Sequence, residues 1–140
     1  MINDLELTFC DKKNMTGVTA TNAGTLSEII DLKVPGQGKG RRAFVYITSH
    51  TNTAAAVGVN LNFSIITADN ETLTTPTEIP LSLPPLAASM LAAGATVYAP
   101  LPMDIRRFVK LNVNPGAGTI TSLNWSAGIT LDPQTNTGIE

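Results

Sequence analysis

Residues 101–131 read LPMDIRRFVKLNVNPGAGTITSLNWSAGITL, two alternating runs joined by Pro115, Gly116, Ala117 and Gly118. In the first run Val109, Leu111 and Val113 share one side of a strand and Lys110, Asn112 and Asn114 the other, because successive side chains of an extended chain point to opposite faces. In the second run Thr121, Leu123, Trp125, Ala127, Ile129 and Leu131 alternate with Ser122, Asn124, Ser126, Gly128 and Thr130. One apolar and one polar face make a half-buried antiparallel strand, with Trp125 on the core side and Asn112, Asn124 and Ser126 on an outer surface. Gly116 and Gly118 are expected to supply the positive φ that a short hairpin loop needs. The second run exceeds the usual strand limit of about ten residues, so a bulge or bend is expected near Asn124 or Gly128.

Outward from this hairpin the alternation recurs over residues 5–9, over 43–49 (Val45 and Ile47 against Phe44 and Tyr46) and over 59–65 (Leu61 and Phe63 against Asn60, Asn62 and Ser64). Shorter strand candidates cover 27–33, 77–82 and 96–99, separated by the turn-rich stretches 35–40, 50–53 and 69–76. About eight strands at this spacing predict an all-β, antiparallel jelly-roll or Greek-key sandwich. Only residues 86–93 have helix-forming content, and they are expected to form one short helix connecting strands. Residues 14–25 are small and polar and read as an arm or long loop, while 132–140 lack a core pattern and read as a tail.

The 140 residues suit one domain able to bury its own core. Charged residues make up 14% of the chain, well under the usual quarter, with Thr, Asn, Ser, Gly and Pro in their place. The net charge is −2, and no Lys or Arg lies between Arg42 and Arg106. Such a chain has no general attraction for nucleic acid or an acidic membrane. No run of roughly 18 apolar residues exists, which excludes a transmembrane helix. The opening MINDLELTFC lacks a basic segment followed by a long apolar run, so synthesis in the cytosol is expected.

The chemistry-bearing residues are few. His50 is the single histidine, so a metal site of converging imidazoles cannot be assembled in one chain, and a structural role is expected for it. Cys10 stands beside Asp11, an acidic neighbour that disfavours a thiolate, and reads as a small buried hydrophobe. Asp69, Asn70 and Glu71 lack the ligand spacing of a calcium loop and read as a solvated turn. Residues 36–42, GQGKGRR, lead into a strand rather than a helix, which separates them from phosphate-binding loops. Lys39, Arg41 and Arg42 there are instead candidate contacts to a protein partner, since the fixed donor fork of Arg pairs with carboxylates. Trp125, Tyr46, Tyr98 and Phe108 could build a sugar-stacking platform, but core packing is the better reading of Trp125. With no supported carboxylate pair and no nucleophile elbow, neither an enzyme nor a cofactor nor a small-molecule substrate is expected.

The order of these segments resembles that of the jelly-roll capsid cement, or decoration, proteins of tailed bacteriophages. The likeness runs from MINDLELTF through the small polar stretch, EIIDL, the Gly-rich turn into AFVYIT, LNFSIITADNETL, LAAGATVYAPLP and RRFVKLNV to GAGTITSLNWSAGITLD. It implies a virion structural protein, made in the bacterial cytoplasm, that binds the outside of the mature capsid and stabilises it by bridging capsid subunits. The partners it implies are the major capsid protein and a second copy of the chain, a dimer being favoured. An uncharged sheet face such as Asn60, Asn62 and Ser64 would suit self-pairing. Residues 14–25 and the Lys39, Arg41, Arg42 loop are the expected capsid contacts. The rival reading is a carbohydrate- or receptor-binding jelly roll of a phage tail or fibre.

Overall fold

The computed structural model describes residues 7–19, 21–33, 43–83, 86–102 and 104–130. Among the described residues there are ten strands: β1 (Thr8–Val18), β2 (Ile30–Asp31), β3 (Phe44–Ser49), β4 (Ala54–Ala55), β5 (Asn60–Ala68), β6 (Thr77–Pro80), β7 (Leu86–Ala87), β8 (Thr96–Pro100), β9 (Phe108–Asn114) and β10 (Ile120–Thr130). One sheet has the order β1-β10-β3-β8 and the other β2-β9-β5-β6, with the two-residue strands β4 and β7 paired to β10 and β5. All pairs are antiparallel. The eight main strands pair in a nested way, β5 with β6, β3 with β8, β2 with β9 and β1 with β10. Alternate pairs fall in opposite sheets. That is one long hairpin rolled up, the jelly-roll arrangement the strand pattern predicted.

The core lies between the sheets where the alternation places it. Val45 and Ile47 from β3 and Leu123, Trp125 and Ala127 from β10 face Phe63 and Ile65 from β5 and Val109, Leu111 and Val113 from β9, all buried. Burying each of these larger side chains contributes about 1.5–3 kcal/mol relative to leaving it in water. Trp125 spans the two layers: its ring lies 5.6 Å from that of Phe63, and its indole N–H donates to Thr53 Oγ1 at 2.8 Å.

Several local expectations are corrected. Residues 14–18 are not an arm; they continue β1 and pair with β10, Asn14 against Asn124 and Val18 against Ile120. This is an edge strand whose middle side chains face water on both sides, so the backbone ladder holds it and no alternation marks it. Residues 86–93 form β7 and one 3₁₀ turn (Ala88–Met90) rather than a helix, because Leu86 and Leu91 are drawn into the core from a stretch too short to sustain α-helical turns. The extra residues near Asn124 and Gly128 sit on the partner strand: the register of β1 against β10 shifts between Thr8 and Cys10 and between Cys10 and Lys13. A further shift between Ile120 and Ser122, against β4, changes the phase of β10. Ile120 is therefore buried and Thr121 exposed, the reverse of the uninterrupted alternation. In the hairpin loop Gly116 has φ +68°, whereas Gly118 lacks positive φ and is required because a Cβ there would meet the side chain of Val59. Leu5, Leu131 and residues 132–140 lie outside the described residues.

Candidate binding surfaces at the two ends of the sandwich

Rolling the chain gathers its connections at two ends, as sandwiches do. One end holds residues 69–76, 101–102 and 104–107 together with Asp31, which ends the short β2, and Lys33 just beyond it. Here the charges are wired to one another. Arg107 donates through Nε and Nη2 to the two oxygens of Asp31, at 2.7 and 2.8 Å, and its guanidinium lies 5.0 Å from the Phe108 ring centre. Lys33 Nζ adds a 3.6 Å contact to Asp31. The Arg107 hydrogen bonds hold the Asp31 carboxyl well below the ordinary carboxylate range, and the same bonds raise Arg107. Arg106 reaches Asp69 at 3.1 Å, the Thr75 carbonyl at 3.2 Å and Thr77 Oγ1 at 2.6 Å, while its backbone N–H donates to Thr67 Oγ1 at 2.7 Å. Asn70 Oδ1 accepts from the Thr74 N–H and the Thr72 hydroxyl. The 69–71 turn is thus closed by its own side chains and by Arg106.

The opposite end is built from residues 50–59, 81–83, 86–95 and 115–119, and from 19, 21 and 22 beyond β1. Backbone bonds tie it together: Thr53 N–H to Leu91 O at 3.0 Å, Ala56 N–H to Thr119 O at 3.1 Å and Gly94 N–H to Ser49 O at 2.8 Å. Asn52 Oδ1 accepts from the Ala93 N–H at 2.9 Å. The segments that reach this end come from the runs 14–27, 50–68, 79–103 and 111–131, none of which contains Asp, Glu, Lys or Arg. Val57 is fully exposed, at 105%, and Met90 is 58% exposed. Beside Val57 a cavity of about 370 Å³ opens between residues 56–60 and the 115–118 turn, with Asn62 on its rim.

The flank of the β1-β10-β3-β8 sheet carries a polar clasp. Ser126 Oγ donates to Asp11 Oδ1 at 3.2 Å, accepts from the Lys12 N–H at 2.9 Å, and lies 2.7 Å from His50 Nε2. A hydroxyl has one proton; with it on Asp11, His50 Nε2 is the donor. Ser, His and Asp do meet, but the carboxylate orients the hydroxyl and not the imidazole, opposite to the wiring of a catalytic triad. Ser126 is therefore a strut, 7% exposed, rather than part of an open outer surface. Asn124 Oδ1, expected on that surface, is also buried and has no hydrogen-bond partner among the described residues. Cys10 is buried, its Sγ 3.5 Å from the Trp125 carbonyl, and burial pushes the thiol up to about 11.

The four aromatics considered for a stacking platform are not brought together. Trp125 is in the core. Tyr46 and Tyr98 are opposite each other on β3 and β8, with Tyr46 buried over Gly128, where a Cβ would meet its hydroxyl. Burial raises the Tyr46 phenol. Phe108 belongs to the other sheet, under Arg107. Of the face considered for self-pairing, Asn60 and Asn62 are exposed, whereas Ser64 is buried and donates to Glu78 at 2.7 Å. Lys39, Arg41 and Arg42 lie outside the described residues. The uncharged end went unread from sequence because its loops meet only through the nested pairing; the signal that could have found it is the set of charge-free runs 14–27, 50–68, 79–103 and 111–131. A protein-family model described as Bbp16 matches residues 13–129. No curated protein matches the chain.

Proposed function

This chain belongs to the Bbp16 family, and from that premise we propose that it binds the outside of a mature bacteriophage capsid and stabilises the shell by bridging capsid subunits. The observation that carries the reading is the rolled sandwich itself, two sheets locked by nested pairing that hold loop clusters at fixed positions on both ends. A rigid body of this kind suits a clamp, because little conformational entropy is lost when its loops engage a surface. The family name hints at a phage-related protein, and the order of segments along the chain resembles that of phage cement proteins. Its partners are then the major capsid protein and a second copy of itself, a dimer, for which the exposed Asn60 and Asn62 side offers an uncharged isologous surface.

The energetic logic is linkage. A protein that binds the mature lattice and not its precursor stabilises the mature state by RT ln(1 + [L]/Kd), about 2.7 kcal/mol per site at a concentration of about 100 Kd. Repeated over the lattice, this opposes the pressure of packaged DNA. The test is cosedimentation of the purified protein with expanded, undecorated capsids and with unexpanded precursor shells. Saturable binding to expanded capsids alone supports the proposal. Absence of binding, or equal binding to both shells, overturns it.

A further inference from the structure

We propose that the outer face of the β2-β9-β5-β6 sheet packs on the same face of a second copy about a two-fold axis running along β5, so that Lys110 of each chain meets Glu78 of the other. This inference deepens the self-pairing part of the function proposed above by naming the charges that set its register, and its test needs no capsid. The even-numbered residues of β5 point outward, since Leu61, Phe63 and Ile65 are buried in the core. Register then draws one row across three strands: Ile66 stands opposite Lys110 of β9 on one side and Glu78 of β6 on the other. Lys110 and Ile66 are half-buried and Glu78 is exposed. Among the described residues Lys110 makes no ion pair, and the Glu78 carboxylate accepts only the Ser64 hydroxyl, at 2.7 Å. The remaining charge on the described strands of this sheet, Asp31, is already held by Arg107.

A row that reads cation, aliphatic, anion is its own complement. Strands lie about 4.8 Å apart, so the two charges flank Ile66 at equal distances. An axis in the contact plane along β5 keeps each β5 residue opposite itself and exchanges β9 with β6. It sets Ile66 on its counterpart, Asn62 on its counterpart and Lys110 on Glu78 at two symmetric places. The strands of the two copies then run nearly aligned, as in ordinary face-to-face packing of sheets. An axis half a strand spacing nearer β9 would set Lys110 on Ile66 and Glu78 on β2, stripping both charges of water without pairing them. Charge complementarity therefore selects a second copy of this chain as the occupant and β5 as the line of symmetry.

The measurement is sedimentation equilibrium of the full chain for the wild type, K110E, E78K and the double variant K110E/E78K, with thermal unfolding of each as the control for folding. K110E removes no side-chain hydrogen bond or ion pair of the described residues, whereas E78K also releases Ser64. Each single variant sets like charges opposite each other twice, so its dimer Kd is expected to rise at least about tenfold. The double variant restores opposite charges and is expected to return to within about threefold of the wild type. Recovery identifies the occupant, because a partner other than this chain keeps its own charges and would repel the double variant. Should E78K not fold, the neutral variant K110Q decides instead: its Kd is expected to fall between those of the wild type and K110E, and both variants matching the wild type overturns the inference. Single variants that dimerise normally, or a folded double variant that stays weak, overturn it and leave self-pairing to another surface. A wild type that is monomeric at every concentration overturns both the inference and the self-pairing, while cosedimentation with capsids decides the shell-binding reading separately.

Discussion

At one end of the molecule Arg106 and Arg107 are engaged by Asp69 and Asp31, while at the other Val57 and Met90 stand in solvent and no charged residue accompanies them among the described residues. Both ends are loop clusters on the same two sheets, so the fold does not account for the contrast. What differs is how each cluster is held. The charged end adds to its backbone bonds, such as Leu32 N–H to the Arg107 carbonyl at 2.8 Å, side-chain ion pairs that exposure to water weakens. The uncharged end is fastened by backbone bonds between loops and by Thr53, which joins it to the core through Trp125. Surface charge can therefore be absent from a loop cluster without loosening it, which leaves that cluster free to be both rigid and dry.

The contrast can be broken hardest at its common root. Trp125→Ala removes the side chain that packs on Phe63 and anchors Thr53, and a loss of about 3–5 kcal/mol is expected in denaturant unfolding. A smaller effect would mean that the core collapses around the gap. Thr53→Val is expected to cost about 1–3 kcal/mol, because it leaves the buried indole N–H of Trp125 without its acceptor. Amide exchange should rise at Leu91 and Ala93 in this variant and stay unchanged around Arg106. Equal loosening at both ends would contradict the separate fastening described above.

The smallest effect belongs to the charged end. Asp31 has a depressed carboxyl, so its pairing with Arg107 adds stability above the ordinary Asp value near about 4, and that stability is lost as pH falls toward its folded value. Arg107→Ala should therefore cost little at neutral pH. It should also remove the part of the wild type's acid sensitivity that comes from Asp31. Thermal melts across the acid range check this: parallel profiles for the two proteins would show that the pair is electrostatically silent.

Most of this architecture is legible in the sequence wherever a strand has one wet and one dry face. The 108–114 and 120–130 hairpin and Trp125 in the core follow from period-two alternation, whereas the two-residue strands β4 and β7, which bring the expected eight or so to ten among the described residues, are too short to show it. Residues 14–18 escape it because an edge strand wet on both faces carries no alternation. Thr121 and Ile120 exchange places because the register shift between Ile120 and Ser122 against β4 resets the phase. The clasp of Asp11, His50 and Ser126 joins positions more than 70 residues apart and could not be read without the nested pairing. The charge gaps were visible as gaps, but only the rolled topology brings residues 50–59, 81–83, 86–95 and 115–119 to one end.

The most direct test of the central claim is the heat stability of the shell itself. Expanded capsids should be heated with and without saturating protein, and their disassembly followed by light scattering. The account predicts a disassembly temperature that rises with occupancy and levels off at saturation, with no shift for unexpanded shells. A fully occupied shell that comes apart at the same temperature as a bare one would contradict it.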